Sequence, residues 1–369
     1  MDCTRLGVWG LPECKWCAAR SPVGSFDRDS WERNAMSLQI IAEIAQGFEG
    51  CPDQARLLLK AAAAGGADAA KYQLVYADEL ATPDYKYYGL FRSLEMPDEV
   101  WQGLATYALE LGIQLHLDIF GSRSLQLAER IGVEAIKLHG TDIANIGLLG
   151  EVANSSIGKV LLGAGGAHAN EIERAIAILS GKEVVVLLGF QGYPTPNETN
   201  QVARVHTLAE RFRPLHPRVL IGFADHALPT SPLRYALAAV ALGAGATVLE
   251  KHLTLGKVMM LEDHESALNP DEFLEFAEVI RNCAQAMGAV VEADDFGMSE
   301  AEVAYRKMIR RHVVTSRDLA AGAKIAPSDL ALKRTSAEQV ITDIGSAYQK
   351  TLNRDLKTNE PLLLTDIDQ

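Results

Sequence analysis

From Ile40 onward, short apolar and β-branched runs alternate with longer stretches of helical periodicity. The strand-like runs are IIAEIA (40–45), AAKYQ (69–73), QLHLDIF (114–120), AIKLHG (135–140), KVLLGAG (159–165), VVVLLGF (184–190), VLIGFAD (219–225) and TVLEKHL (247–253). Segments such as DQARLLLKAAAAGG, DEVWQGLATYALELG, SLQLAERIG and ANEIERAIAILSG fall between them and repeat their apolar residues with a helical period. Glycine punctuates the change from helix to strand in GGADAA, ELGIQ, RIGVEA and LGAGAT, as expected of helix C-caps. Eight strand–helix units over roughly 250 residues predict a (β/α)8 barrel spanning 37–288, closed by the helix DEFLEFAEVIRNCAQAMG. A doubly wound open sheet is the alternative, but no glycine-rich dinucleotide turn follows the first strand.

The flanks break this pattern. Residues 1–36 read as an irregular extension, and the acidic stretch 289–307 as a linker. A β-rich module is expected over 308–369, with turns at Ala-Gly-Ala and Ala-Pro-Ser. A module of about sixty residues buries little core alone, so docking onto a barrel is expected.

In a barrel, chemistry belongs at the C-terminal ends of the strands. Alternation puts Lys71 with Gln73, His116 with Asp118, Lys137 with His139, and Glu250 with His252 on common strand faces, and Glu43 near the end of the first strand. Lys71 and Lys137 facing one cavity would form a local anion site; the other reading is internal lysine–glutamate pairing that holds the barrel together. His226 and His252 end two successive parallel strands, with the helical SPLRYALAAVALGAGA between them. Either one alone reads as a hydrogen-bonded rim residue. As a pair on one rim, they point to a shared divalent metal.

The chain has 369 residues and a formal net charge of −13, which argues against nucleic acid or an anionic membrane as the main partner but not against an anionic substrate. No apolar run reaches membrane-spanning length, and the first 35 residues lack a continuous apolar core of a signal peptide, so a cytoplasmic enzyme is expected. Cys14-Lys15-Trp16-Cys17 forms a CxxC without a second pair, and a structural or incidental role is expected.

Across residues 38–366 the chain resembles the sialic acid synthase family. The likeness is carried by IIAEIA, AAGGADAAKYQ, Tyr193-Pro194-Thr195-Pro196, Asp225-His226, AAVALGAGATVLEKHLTL, Asp263-His264 with SALNPDEF, and RRHVVTSRDLAAGAKIAPSDLALKR, which is similar to that family's antifreeze-like (SAF) module. The resemblance implies a barrel in a homodimer whose module covers the partner's active site. It also implies condensation of phosphoenolpyruvate with an N-acylated amino sugar aldehyde. His226 and His252 would bind manganese or magnesium. Lys71, Gln73, Lys137 and Gln191 would hold phosphoenolpyruvate. Glu43 and Asp263 would handle protons and sugar hydroxyls, and Arg334 would reach the partner's substrate. Asp118, His139, Asp142 and Tyr193 are further candidate substrate contacts.

The chain departs from the family at several of these places. Gly47-Phe48-Glu49 stands for an Asn-His-Asn-like stretch, Leu188 for a histidine, Leu261-Glu262 for Gly-Pro and Thr335-Ser336 for Pro-Gly. Gly140, Gly163 and Ala224 stand for hydroxyl residues that help hold phosphate. Each lost hydrogen bond to a charged phosphate costs about 1.5–3 kcal/mol unless another donor replaces it. Three functions therefore stay open: a synthase making a nonulosonic 2-keto acid, a divergent enzyme with another carboxylate donor or a lyase or hydrolase reaction, and a non-catalytic sugar-binding paralogue.

Overall fold

The computed structural model describes residues 38–189, 191–214, 216, 218–288 and 297–368. The N-terminal extension with its CxxC and the first part of the expected linker lie outside the described residues. The chain divides into two compact units, Met1–Ala289 and Val290–Gln369.

In the first unit the strand–helix order runs β1 (Gln39–Ala45), α1 (Pro52–Ala64), β2 (Ala69–Gln73), α2 (Ala77–Leu80), α3 (Tyr88–Leu94), α4 (Asp98–Leu111), β3 (Gln114–Asp118), α5 (Ser122–Ile131), β4 (Ala135–Leu138), α6 (Ile146–Asn154), β5 (Lys159–Gly163), α7 (Ala169–Ile178), β6 (Glu183–Leu188), α8 (Arg204–Phe212), β7 (Val219–Asp225), α9 (Ala236–Gly243), β8 (Val248–His252) and α10 (Pro270–Met287). The eight strands pair in sequence order, and β8 pairs back onto β1 in parallel, so the sheet closes. Closure excludes the open sheet, and each expected strand is present.

Local chemistry explains the punctuation. Helix α4 starts with Asp98 and Glu99 in its first turn, which suit the positive end of the helix dipole, and ends at Gly112 in the left-handed region (φ 69°). Helix α5 ends the same way at Gly132 (φ 72°). A large apolar core lies between the strands and the helices, and includes Ile40, Tyr72, Trp101, Leu117, Phe212 and Phe273. A smaller one fills the barrel itself, from Ile41, Ala69, Ala135, Leu161, Val185, Leu187, Ala224 and Val248. The alternation of each strand sorts its residues between these two cores. Among the described residues no helix is long and apolar enough to cross a membrane.

The second unit contains β9 (His312–Thr315), antiparallel to β10 (Leu330–Lys333). Its small core includes Val313, Leu319, Ile325, Ile341, Leu352 and Leu362. One element was not expected: α11 (Glu300–Ile309) occupies the end of the stretch read as linker. Its N-terminus is set by Ser299, whose hydroxyl accepts from Glu302 N while the Glu302 carboxylate accepts from Ser299 N. That reciprocal cap is legible in Ser-Glu-Ala-Glu, but the acidic run before it hides the signal.

At the upper end of the barrel, β4 and β5 come together through glycine. A Cβ at Gly140 would lie 2.5 Å from Gly165 O, and one at Gly163 would lie 2.8 Å from Gly140 N. Gly140→Ser and Gly163→Ala should each lower stability by about 1–3 kcal/mol through overpacking against backbone. Gly150→Ala, in an open position within α6, should instead raise it by about 0.5–1 kcal/mol. Thermal or urea denaturation of the three variants checks this contrast; equal effects would show that the backbone approach at Gly140 is not tight.

Candidate active site

Five strands send a charged residue into the upper barrel. Lys71 is fully buried, and its Nζ binds Glu43 Oε2, lies 2.7 Å from Asp118 Oδ1 and 3.5 Å from Glu250 Oε2. Lys137 Nζ donates to Glu250 Oε1 at 2.8 Å, with Glu43 Oε2 at 3.6 Å and Asp118 Oδ2 at 3.9 Å. Two ammonium groups thus share three carboxylates, one each from β1, β3 and β8. Burial opposes the charge on all three acids. For Asp118 it is outweighed by Lys71 and Lys137, and for Glu250 by Lys137 and Lys71, so both stay well below the usual carboxylate range. Glu43 goes the other way: burial, with repulsion from Glu250 and Asp118, pushes it up to about 8 against the pull of Lys71. Burial also opposes the charge on Lys71, but the carboxylates around it hold its pKa well above the ordinary value.

The expected anion site therefore divides. Lys137 lines a cavity of about 230 Å³ together with His139, Gly140, Thr141, Gly163, Gly165, Leu187, Gly189, Ala224 and His226. Both lysines pair with the buried carboxylates; Lys137 also lines this cavity, and Lys71 lies fully buried behind it. Asp118 links the two levels. Its Oδ1 takes Lys71, and its Oδ2 lies 2.8 Å from His139 Nε2.

His226 follows β7 and His252 ends β8, and their ring centroids are 5.2 Å apart. Burial pushes His226 down to about 4 and, with His226 beside it, holds His252 well below the usual imidazole range. Neutral imidazole is the form that ligates a metal. Among the described residues no group of three or more His, Cys, Asp or Glu side chains is arranged to hold an ion. The two imidazoles alone are two nitrogen donors, and a divalent metal held there would need water or substrate oxygens for its other positions. Tyr193 packs edge-on to both rings, at 5.7 and 5.5 Å, and its hydroxyl donates to Asp263 O.

Asp263 sits in the left-handed region (φ 64°) in the loop after β8, and its Oδ2 accepts from Gln46 N at 3.1 Å. Burial raises it to about 6. Gln46 also donates to Gln73 Oε1 at 2.8 Å, so Gln73 is tied to this loop pair. The departures Gly47-Phe48-Glu49 and Leu261-Glu262 meet here: Glu49 Oε1 accepts from Glu262 N at 3.1 Å, and a Cβ at Gly47 would lie 3.3 Å from Glu262 O. Phe48 turns away into an aromatic cluster with Tyr72 and Trp101.

Two further cavities adjoin the first through shared residues. Gln191 lines one with Gly165, Gly189, Thr199 and Arg204, and both polar atoms of its amide are buried without a protein partner. Asp142 lines the other with Asp78, Glu79, Tyr85, Phe91, Phe120 and Thr141, and burial raises its carboxyl. His264 Nδ1 bonds to Leu261 O within its own loop. Arg334 belongs to the second unit, where it is exposed and donates from Nε to Ile309 O. Glu250 is the site residue that sequence reasoning left out of its candidates; its signal was its place two residues before His252 on the same strand face.

Residues 58–292 match the NeuB family and residues 310–368 the SAF domain. The chain is 27% identical over 360 residues to the N,N'-diacetyllegionaminic acid synthase of Legionella pneumophila, covering 91% of this chain and 96% of that one. It is 30% identical over 301 residues to an uncharacterised protein of Methanocaldococcus jannaschii, covering 80% and 84%. In fold it is similar to the N-acetylneuraminic acid (sialic acid) synthetase of Leptospira borgpetersenii, with a TM-score of 0.66, 24% identity, and coverage of 74% of this chain and 92% of that one. The chain belongs to the NeuB family, its barrel followed by a SAF domain.

Proposed function

We propose that this chain is a synthase that joins phosphoenolpyruvate to the aldehyde of an N-acylated amino sugar, giving a nonulosonic 2-keto acid. The observation that carries this reading is the meeting, at the C-terminal end of one barrel, of a neutral imidazole pair with the Lys137-lined cavity. The named synthases among its relatives support it. In the reaction the methylene carbon of phosphoenolpyruvate bonds to the aldehyde carbon, whose oxygen takes a proton. Water adds at the former enol carbon, and phosphate leaves.

The residues divide this work. Lys137 attracts the anionic donor at the cavity wall. Lys71 stays below, holding Asp118, Glu250 and Glu43 in place. His226 and His252 would hold manganese or magnesium, which supplies polarisation of a carbonyl oxygen when bound. Asp263, raised toward neutrality, exchanges protons with sugar hydroxyls or water near the rim. The neighbouring cavity with Tyr85, Phe91 and Asp142 offers aromatic faces and carboxylates suited to a sugar. The protein acts as a homodimer, the SAF module of each chain bringing Arg334 to the partner's site.

A second reading has its own support. Gly140, Gly163 and Ala224 give the cavity no hydroxyl, and the glycine contacts leave no room for one at Gly140. That favours a donor carboxylate without phosphate, or cleavage of a 2-keto acid.

Incubation with manganese, phosphoenolpyruvate and a panel of N-acyl amino sugars should release phosphate in step with a 2-keto acid seen by mass spectrometry. His226→Ala and His252→Ala should each abolish high-affinity manganese binding by calorimetry and lower the rate by more than about 100-fold. Release of pyruvate from a nonulosonic acid, with no phosphate-linked condensation, would favour the second reading.

Asp263 also predicts a pH dependence. Its folded pKa of about 6 exceeds the unfolded value near 3.9. Between those values the folded chain keeps a proton that the unfolded chain releases, so this group's contribution to stability falls as pH rises from about 4 to 6. Asp263→Asn should flatten that part of the melting-temperature profile while lowering activity. An unchanged slope would remove the raised carboxyl.

For the assembly, an Arg334→Ala chain mixed with a His252→Ala chain should regain activity, because one site of the mixed dimer has both groups intact. No recovery where subunits demonstrably exchange would show that the module does not act across chains.

A further inference from the structure

The charges of the inner cluster nearly cancel. Lys71 and Lys137 contribute two positive charges, and ionised Asp118 and Glu250 contribute two negative ones. Glu43, held toward its neutral form, adds little. Lys137 therefore reaches the cavity with its charge already shared, and the rest of the lining is mostly glycine, alanine and leucine, with Thr141, His139 and His226 as its other polar side chains. An anion entering there needs a donor beyond Lys137 and the Thr141 hydroxyl.

His139 is placed to be that donor. It lines the cavity two residues beyond Lys137, just past the end of β4, and its side chain is one-third exposed. Its Nε2 is occupied by Asp118, which is in turn anchored by Lys71 at 2.7 Å. Phe120 packs against the ring at 5.4 Å between centroids. The orientation is fixed through one nitrogen, which leaves Nδ1 as the ring atom available to a ligand. His139 and Gly140 are adjacent, so the imidazole enters beside a position that has no hydroxyl.

We propose that His139, held by Asp118, is the anion ligand that replaces the absent hydroxyls: its imidazolium supplies the positive charge and the Nδ1–H that grip the donor's phosphate beside Lys137. This rests on the reading of the cavity as the site of a phosphorylated donor. Asp118 from β3, Asp142 on its own loop and Asp263 from the loop after β8 are the carboxylates that face the ring, and Lys137 lines the cavity beside it. An imidazolium attracts an anion and a neutral ring does not, so anion affinity should fall as pH rises.

Sulfate is the cleaner probe, because phosphate esters themselves titrate near pH 6. Calorimetric titration of the full-length protein with sulfate and with phosphoenolpyruvate, at pH 6.0 and 8.5 and fixed manganese, tests the assignment in wild type, His139→Ala, His139→Gln and His139→Lys. Wild type should bind sulfate roughly tenfold or more tightly at pH 6.0 than at 8.5. His139→Ala and His139→Gln should bind it roughly tenfold more weakly at pH 6.0. Each should keep only the smaller pH dependence left by Asp263 and Glu43. His139→Lys should restore affinity at pH 8.5. If His139→Ala does not fold, as judged by circular dichroism, His139→Gln carries the comparison, since it retains a donor toward Asp118. Wild-type affinity and pH dependence in the folded Ala or Gln variant would overturn the role of His139. If phosphoenolpyruvate still binds in that case, the donor reading survives alone. Sulfate binding through His139 without phosphoenolpyruvate binding would leave the anion ligand standing and remove the donor reading. Wild type binding neither probe would overturn both.

Discussion

The ammonium of Lys71 is the point on which the upper barrel depends. It is fully buried, and three carboxylates from β1, β3 and β8 converge on it. Taking one partner from such a cluster leaves an uncompensated charge in a low-dielectric interior, a change that costs about 3–5 kcal/mol. The same contacts aim the functional groups. Asp118 is fixed by Lys71 and in turn fixes His139. Glu250 shares Lys71 and Lys137. Glu43 bonds to Ala45 N, where the register of β1 shifts against β2 and Ala45 takes a positive φ of 49°. A charge cluster that contributes little net stability still dictates where the cavity's polar atoms point.

The barrel is divided by this arrangement. Strands β1 to β4 and β8 carry the charges, while β5 to β7 present Leu161, Val185, Leu187, Gly163 and Ala224. A ligand in the cavity meets fixed charge on one side and close-packed backbone on the other. At Gly140 and Gly163 a Cβ would press on neighbouring backbone, so a side chain at either place needs the wall to move. The polar side chains that line this space are His139, Lys137, Thr141 and His226, with Gln191 and Arg204 in the adjoining cavity.

The loops show a similar trade. Gly47-Phe48-Glu49 and Leu261-Glu262 depart from the family pattern at separate points of the chain, yet they form one contact through Glu49 and Glu262. The same loops place Asp263 Oδ2 within reach of Gln46 N. The rim around the histidine pair is held by these bonds, with Tyr193 bridging from the rings to the Asp263 backbone.

Strand alternation and glycine caps are local, so the barrel's eight units, the order of its strands and the placement of His226 and His252 on one rim were all legible in the sequence. So was the presence of charge at Glu43, Lys71, Asp118 and Lys137 in otherwise apolar strands. Local signals do not say which partner a buried charge takes. That choice depends on the stagger of a closed barrel, which sets Glu43 opposite Lys71, Lys71 opposite His116 and Asp118 opposite Lys137. Tertiary structure alone therefore decided that Lys71 is sequestered while Lys137 meets the cavity, that Asp118 turns one oxygen to each of Lys71 and His139, and that Gly140 and Gly163 close the wall. These are relations between residues far apart in the chain, fixed by packing and by the demand that every buried charge find a counter-charge.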